Sequence, residues 1–220
     1  MKKFLVFAII FFAAASNAEE IPSHYDLRDY GRITSVKNQG ISGPCWAFAA
    51  LASMESNYLT QKLNTDGKMP DLSEMQVAYY VYKDPTPERA FTSKKKNGTL
   101  SLMGNAFRAS AFLMRLSGPI NEKDLPYATQ VSDALRKELS KKEPEDFKRV
   151  MRLRDVYFLA GQQTPSNIDR KKLIIKHGAI VISFYSDVFS YHTKNGYYTY
   201  YNNSHGKSTN HDVVIAGWDD

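Results

Sequence analysis

Gln39-Gly40-Ile41-Ser42-Gly43-Pro44-Cys45-Trp46-Ala47-Phe48-Ala49 is the stretch from which the rest of this chain is read. A loop carrying Gly and Pro runs into an Ala-rich helix, and the junction holds the only cysteine among 220 residues. The start of a helix presents unpaired N–H groups and about half a unit of positive charge, which favour thiolate over thiol. A single cysteine has no partner for an internal disulfide, so Cys45 is either a buried bystander or a reactive group.

Working outward, Ala47, Leu51, Met54 and Tyr58 follow i, i+4, i+7, i+11 spacing, which predicts a helix from Cys45 to about Lys62. Asp66-Gly67 marks a turn. Ser73 and Gln76 stand at capping-box spacing and open a second helix. Lys83 to Lys96, with Pro85 and Pro87, reads as a surface loop. Ala106 to Leu116 reads as a short helix ended by Gly118-Pro119. Residues 131–154 are charged, with Val131, Leu135 and Leu139 apolar, and read as a surface helix inserted into the second half. Val156 to Ala160 reads as a strand, and Ile168 to Lys176 as a helix stopped by His177-Gly178. Ala179 to Phe184, rich in β-branched residues, reads as a buried strand. Asn195-Gly196 between aromatic runs signals a hairpin. Asn210 to Trp218 reads as one strand with a histidine at its start.

The beginning of the chain is a targeting segment. Met1-Lys2-Lys3 supplies positive charge, Phe4 to Ala15 an apolar run, and Ser16-Asn17-Ala18 the small residues of a cleavage site after Ala18. The run is shorter than the roughly 20 residues a spanning helix needs, so no stable membrane insertion is expected. The product is expected to be secreted or periplasmic. With 43% hydrophobic residues the remainder can bury a core, which argues against disorder. The formal charge is +6. The basic runs Lys94-Lys95-Lys96, Lys141-Lys142 and Arg170-Lys171-Lys172 read as solvated surface. Nucleic-acid binding would need aromatics beside the charge, and Tyr197, Tyr198, Tyr200 and Tyr201 lie too far along the chain from most of these runs.

Taken together, the motifs resemble the papain-like cysteine peptidase family. Gln39 stands six residues before Cys45, and Trp46 follows it, as in that family. Ile21-Pro22-Ser23-His24-Tyr25-Asp26-Leu27-Arg28 resembles the family's mature start. Leu72-Ser73-Glu74, Gly118-Pro119-Ile120 through Pro126-Tyr127, and His211 running into Gly217-Trp218 are also family-like. The resemblance implies an α+β, papain-like two-domain fold. A helical left part (about 36–117) and a β-barrel-like right part (about 118–220) would make one peptidase domain over 19–220, with the active-site cleft between them. No metal or organic cofactor is implied, because no HExxH, paired-Cys or phosphate-binding glycine signature is present.

The resemblance assigns roles. Cys45 is the expected nucleophile. A thiol near its ordinary pKa of about 8.5 is only a few per cent thiolate at neutral pH, so a histidine must hold its proton. Of five histidines, His24 lies too early, His177 sits at a helix end, and His192 and His205 flank the Tyr-rich hairpin without a supporting motif. His211, in the context Asp-Val-Val-Ile-Ala-Gly-Trp, is the expected general base and acid. The side-chain amide of Gln39 and the Cys45 N–H are the expected oxyanion donors. Met103, Gly104 and Asn210 are the expected substrate-binding residues. Three departures stand out. Ser42 replaces a cysteine that the family often pairs elsewhere, Met103 replaces the first of two cleft glycines, and the family's third catalytic residue, an Asn after the histidine, does not occur before Asp220. The expectation is a sequence truncated before the C-terminal strands, with a damaged or divergent relative as the alternative. The expected function is an exported cysteine-type endopeptidase acting on protein or peptide substrates. The alternatives are a catalytically impaired peptide-binding module and a same-fold acyltransferase.

Overall fold

The computed structural model describes residues 20–81, 102–115, 118–159, 166–203 and 207–220. The targeting segment, the whole of the expected 83–96 loop and His205 lie outside them. Helix α1 spans Cys45–Thr60, close to expectation. It is buried on more than the predicted stripe, with Trp46, Leu51, Glu55, Ser56 and Leu59 all enclosed. Helix α2 (Glu74–Tyr80) starts where Ser73 Oγ accepts the Gln76 N–H, at 3.1 Å. The Gln76 side chain accepts from Ile120 N–H at 3.1 Å, tying α2 to the chain that follows the third helix. That helix, α3 (Ala106–Met114), is capped by the Asn105 side chain. Together these helices enclose one apolar cluster centred on Trp46, Leu51, Leu72, Met75, Phe112 and Leu113.

Residues 131–154 differ from expectation. Their helix, α4 (Asp133–Leu139), has only two turns, and Val131 and Leu139 are buried in the cluster of α1, α2 and α3. The Tyr80 hydroxyl donates to Leu139 O at 3.3 Å. This segment, with Ile120 and Leu125 before it, therefore adds to the helical core rather than to the strands. The charged pattern gives the exposed face of α4 correctly but does not say what its few apolar residues meet.

The β-rich part consists of two-stranded antiparallel pairs. After helix α5 (Asn167–His177), β2 (Ile180–Phe184) pairs with β5 (His211–Ile215), placing Phe184 opposite His211. Strands β3 (Tyr191–Lys194) and β4 (Tyr197–Tyr200) form the expected hairpin, with Asn195 and Gly196 both at positive φ as a two-residue turn requires. Strand β1 (His24–Asp26) pairs with β6 (Gly217–Asp219), Tyr25 opposite Trp218 with their rings stacked at 5.0 Å. The stretch expected as one strand over 210–218 is thus two. At Ala216 the carbonyl turns to accept the Leu27 N–H (2.9 Å), and the chain changes partners. Of the strand expected over Val156 to Ala160, Ala160 lies outside the described residues, and Val156 to Leu159 form no ladder among them. Tyr157 is 76% exposed, and Phe158 stacks on Phe107 of α3 instead.

Helix α1 joins the two parts. One side is apolar and faces the helical cluster. The other carries Ser53, Ser56 and Asn57, whose side chains donate to Ala179 O, Arg32 O and His177 O at 2.6–2.9 Å. Ser56 Oγ also accepts the Ala179 N–H at 2.9 Å. These bonds hold the end of α5 and the start of β2 against the helix, and β5 packs over α1 beside them.

Candidate active site

Cys45 is the first residue of α1 and is 8% exposed. Burial pushes its thiol pKa up, and the Asp212 carboxylate adds to that. The backbone N–H groups of Asp212, Trp46 and Cys45 itself pull it down, and burial prevails. Burial therefore outweighs the help that the helix start gives the thiolate. The influence of Asp212 on the thiol follows from the packing of β5, from the opposite part of the molecule, over α1.

His211, one residue earlier, is half-buried, and its ring meets Phe184 edge to face at 5.6 Å. Successive strand side chains alternate in direction, so the Asp212 side chain leaves on the other face, where Ser183 Oγ donates to it at 2.5 Å. Asn210 is engaged elsewhere. Its amide oxygen accepts Ser186 N–H at 2.6 Å, and its amide nitrogen donates to Ser186 O at 3.0 Å. These bonds fix the turn between β2 and the hairpin to the start of β5.

Gln39 lies half-buried in the loop leading to Cys45, and its carbonyl accepts the Tyr127 hydroxyl at 2.6 Å. The loop is fastened again at Ser42, whose hydroxyl donates to Thr129 O at 2.9 Å. Gly40 has φ +59°, and a Cβ there would sit 2.8 Å from Thr129 Cβ, so this position admits only glycine without rearrangement. The segment Leu102-Met103-Gly104 runs alongside. Leu102 N–H donates to Ser42 O at 2.8 Å, and Trp46 Nε1 donates to Leu102 O at 2.7 Å. Gly104 lies so close to the Trp46 ring that an added Cβ would come within 2.3 Å. Met103 is 55% exposed and lays its sulfur over Gly43, two residues before Cys45.

Cys45, Gln39, Met103 and Gly104 are therefore gathered around one loop, and β5 arrives there through Asp212. His24 is exposed beside Asp29 and Asp219, His177 ends α5, and His192 stands opposite Thr199 in the hairpin. Tyr127, Thr129 and Asp212 were not singled out by sequence reasoning. Pro126-Tyr127 is recognisable as a family-like pair, but its contact with Gln39 spans 88 residues.

Known proteins resemble this chain in sequence and in fold. The chain is 34% identical over 110 residues to a probable cysteine protease, RD19B, of Arabidopsis thaliana, covering 50% of this chain and 28% of that protein. It is 53% identical over 57 residues to stem bromelain of Ananas comosus, covering 26% of this chain and 25% of bromelain. The chain thus spans less than a third of the length of these relatives. Among solved structures, bromelain from Ananas comosus in complex with the E64 inhibitor superposes with a TM-score of 0.59 at 26% identity, over 90% of this chain and 77% of that one. The cysteine protease and lectin-like domains of Cwp84, a surface layer associated protein of Clostridium difficile, share the fold, with a TM-score of 0.67 at 24% identity over 90% of this chain and 39% of that one. A family described as papain family cysteine protease matches residues 21–220, and the chain belongs to it.

Proposed function

We propose that this chain is an exported cysteine-type endopeptidase with Cys45 as nucleophile, His211 as general base and acid, and Gln39 as an oxyanion donor. The observation that carries the reading is the packing of β5, which begins at His211, over α1, which begins at Cys45. A buried thiol whose pKa is pushed up needs a proton acceptor, and His211 is the histidine on the strand that reaches it. In the reaction His211 takes the Cys45 proton and the sulfur bonds to the substrate carbonyl carbon. The C–N bond then breaks as His211 returns the proton to the departing amine. Water attacks the acyl-thioester with His211 again accepting a proton, and the acid leaves as the thiol is restored. Export rests on the Met1 to Ala18 pattern, and mature protein beginning at Glu19 is its test.

The experiment is hydrolysis of a panel of internally quenched peptides by wild type, Cys45→Ala, His211→Ala and Gln39→Ala. Cys45→Ala abolishes turnover while circular dichroism stays native. Gln39→Ala lowers turnover by roughly two to three orders of magnitude. Full activity in Cys45→Ala would end the proposal. A second reading, peptide binding without turnover, draws on the burial that raises the thiol pKa; it predicts that wild type binds the peptides but releases no product.

A further inference from the structure

The loop that delivers Gln39 is intrinsically compliant. It contains Gly40 and Gly43, both at positive φ, and it starts outside any regular element. An oxyanion donor works only when its N–H lies about 2.7–3.1 Å from where the negative oxygen forms, so something must hold such a loop. The family often has a cysteine at the position of Ser42. Here a hydrogen bond occupies it, and the partner lies in the segment 127–129.

We infer that Tyr127 is a positioning residue, its hydroxyl clamping the Gln39 backbone so that the Gln39 amide meets the developing oxyanion. The inference rests on the proposed role of Gln39. Tyr127 is well placed for this. Its hydroxyl donates to Gln39 O at 2.6 Å. Its ring stands edge-on to Phe48 at 4.8 Å, and Phe48 is one turn after Cys45 on α1. Its own N–H is held by Glu122 Oε1 at 2.6 Å. One side chain therefore refers the Gln39 loop to the helix that carries the nucleophile. Thr129, two residues on, supports the same loop at Gly40 and Ser42. Burial pushes the Tyr127 hydroxyl pKa up to about 12, so it remains a donor throughout the range in which a thiol peptidase works.

The test compares wild type, Tyr127→Phe, Gln39→Ala and the double variant. Tyr127→Phe keeps the ring against Phe48 and removes only the hydroxyl. Five quantities are read: kcat, KM, the inhibition constant of a peptide aldehyde, the rate of Cys45 alkylation by iodoacetamide, and the melting temperature. The aldehyde adds the thiol and leaves an oxygen in the oxyanion position; alkylation forms no such oxygen. Tyr127→Phe is expected to lower kcat and aldehyde affinity about ten- to hundredfold, as small misplacements of catalytic groups do. KM, the alkylation rate and the melting temperature change little. In the double variant the losses do not exceed those of Gln39→Ala alone, since both act through one amide. If Gln39→Ala loses kcat and aldehyde affinity while Tyr127→Phe keeps both, the clamp is overturned and the Gln39 role stands. If Gln39→Ala itself changes neither, the oxyanion reading fails and the clamp with it. If Tyr127→Phe lowers the melting temperature and slows alkylation as much as turnover, its role is structural and the inference is overturned.

Discussion

The two parts of the molecule that meet at Cys45 are built to different standards. In the helical part, Trp46, Leu51, Leu72 and Met75 are essentially sealed from solvent within one large cluster. In the strand part, a small cluster of Tyr25, Leu27, Ile174 and Ala179 supports pairs of strands. Every residue of β5 is only half-buried, and most of β4 is exposed. A two-stranded pair has little stability alone and takes its position from what it packs on. Cys45 is therefore set in a well-buried frame, while the strand that begins at His211 is placed by its contacts with that frame, above all through the polar side of α1.

This contrast can be broken in order of expected effect. Leu51→Ala opens a hole in the sealed cluster and should cost about 2–5 kcal/mol in urea unfolding. Lys37→Met comes next, and its cost depends on pH. Lys37 Nζ lies 2.7 Å from Glu74 Oε1, 2.8 Å from Asp71 Oδ1 and 3.6 Å from Glu55 Oε1, so one ammonium serves three carboxylates. Removing it should cost about 3 kcal/mol at pH 8, where buried charge is left without a partner, and less at pH 5. In the wild type, burial pushes the Glu74 pKa up to about 7, above its unfolded value near 4.5. Such a group binds its proton more tightly in the folded state. Its contribution is full below pH 4.5 and is lost as pH rises through 7. Stability measured between pH 4.5 and 7 should thus fall with pH in wild type and stay flatter in Glu74→Gln.

Ser56→Ala should cost about 1–3 kcal/mol by leaving the Ala179 N–H without its acceptor, and it also loosens β2 and β5 from α1. Val213→Ala, on half-buried β5, should cost about 1 kcal/mol or less. A cost at Val213 equal to that at Leu51 would remove the distinction between the two parts.

The same contrast governs what the sequence discloses. The start of α1, the Ser73 cap and the Asn195-Gly196 turn are local devices, and each is legible from a few adjacent residues. Long-range placement is not. Nothing near Ala216 signals that the strand breaks there, because the cause is Leu27, far back in the chain. Val156 to Leu159 has a strand's composition but no partner strand among the described residues, and period-two apolarity cannot supply one. Leu139 is buried in the cluster that also holds Tyr79 and Tyr80, which its own charged neighbourhood conceals. At the site, the identities of Cys45, Gln39 and His211 come from motif, whereas Tyr127 and Asp212 act through contacts that only the fold creates. The thiol's upward shift is likewise invisible in sequence, since burial outweighs the helix start.

The most direct test of the account is the pH profile of Cys45 alkylation by iodoacetamide, followed by intact mass on residues 19–220, in wild type and His211→Ala. The account predicts rapid modification well below pH 7 in wild type, and its loss in His211→Ala, where reaction returns only at alkaline pH as befits a buried thiol with a raised pKa. Modification confined to alkaline pH in both proteins would contradict it, because Cys45 would then be a thiol that His211 does not serve.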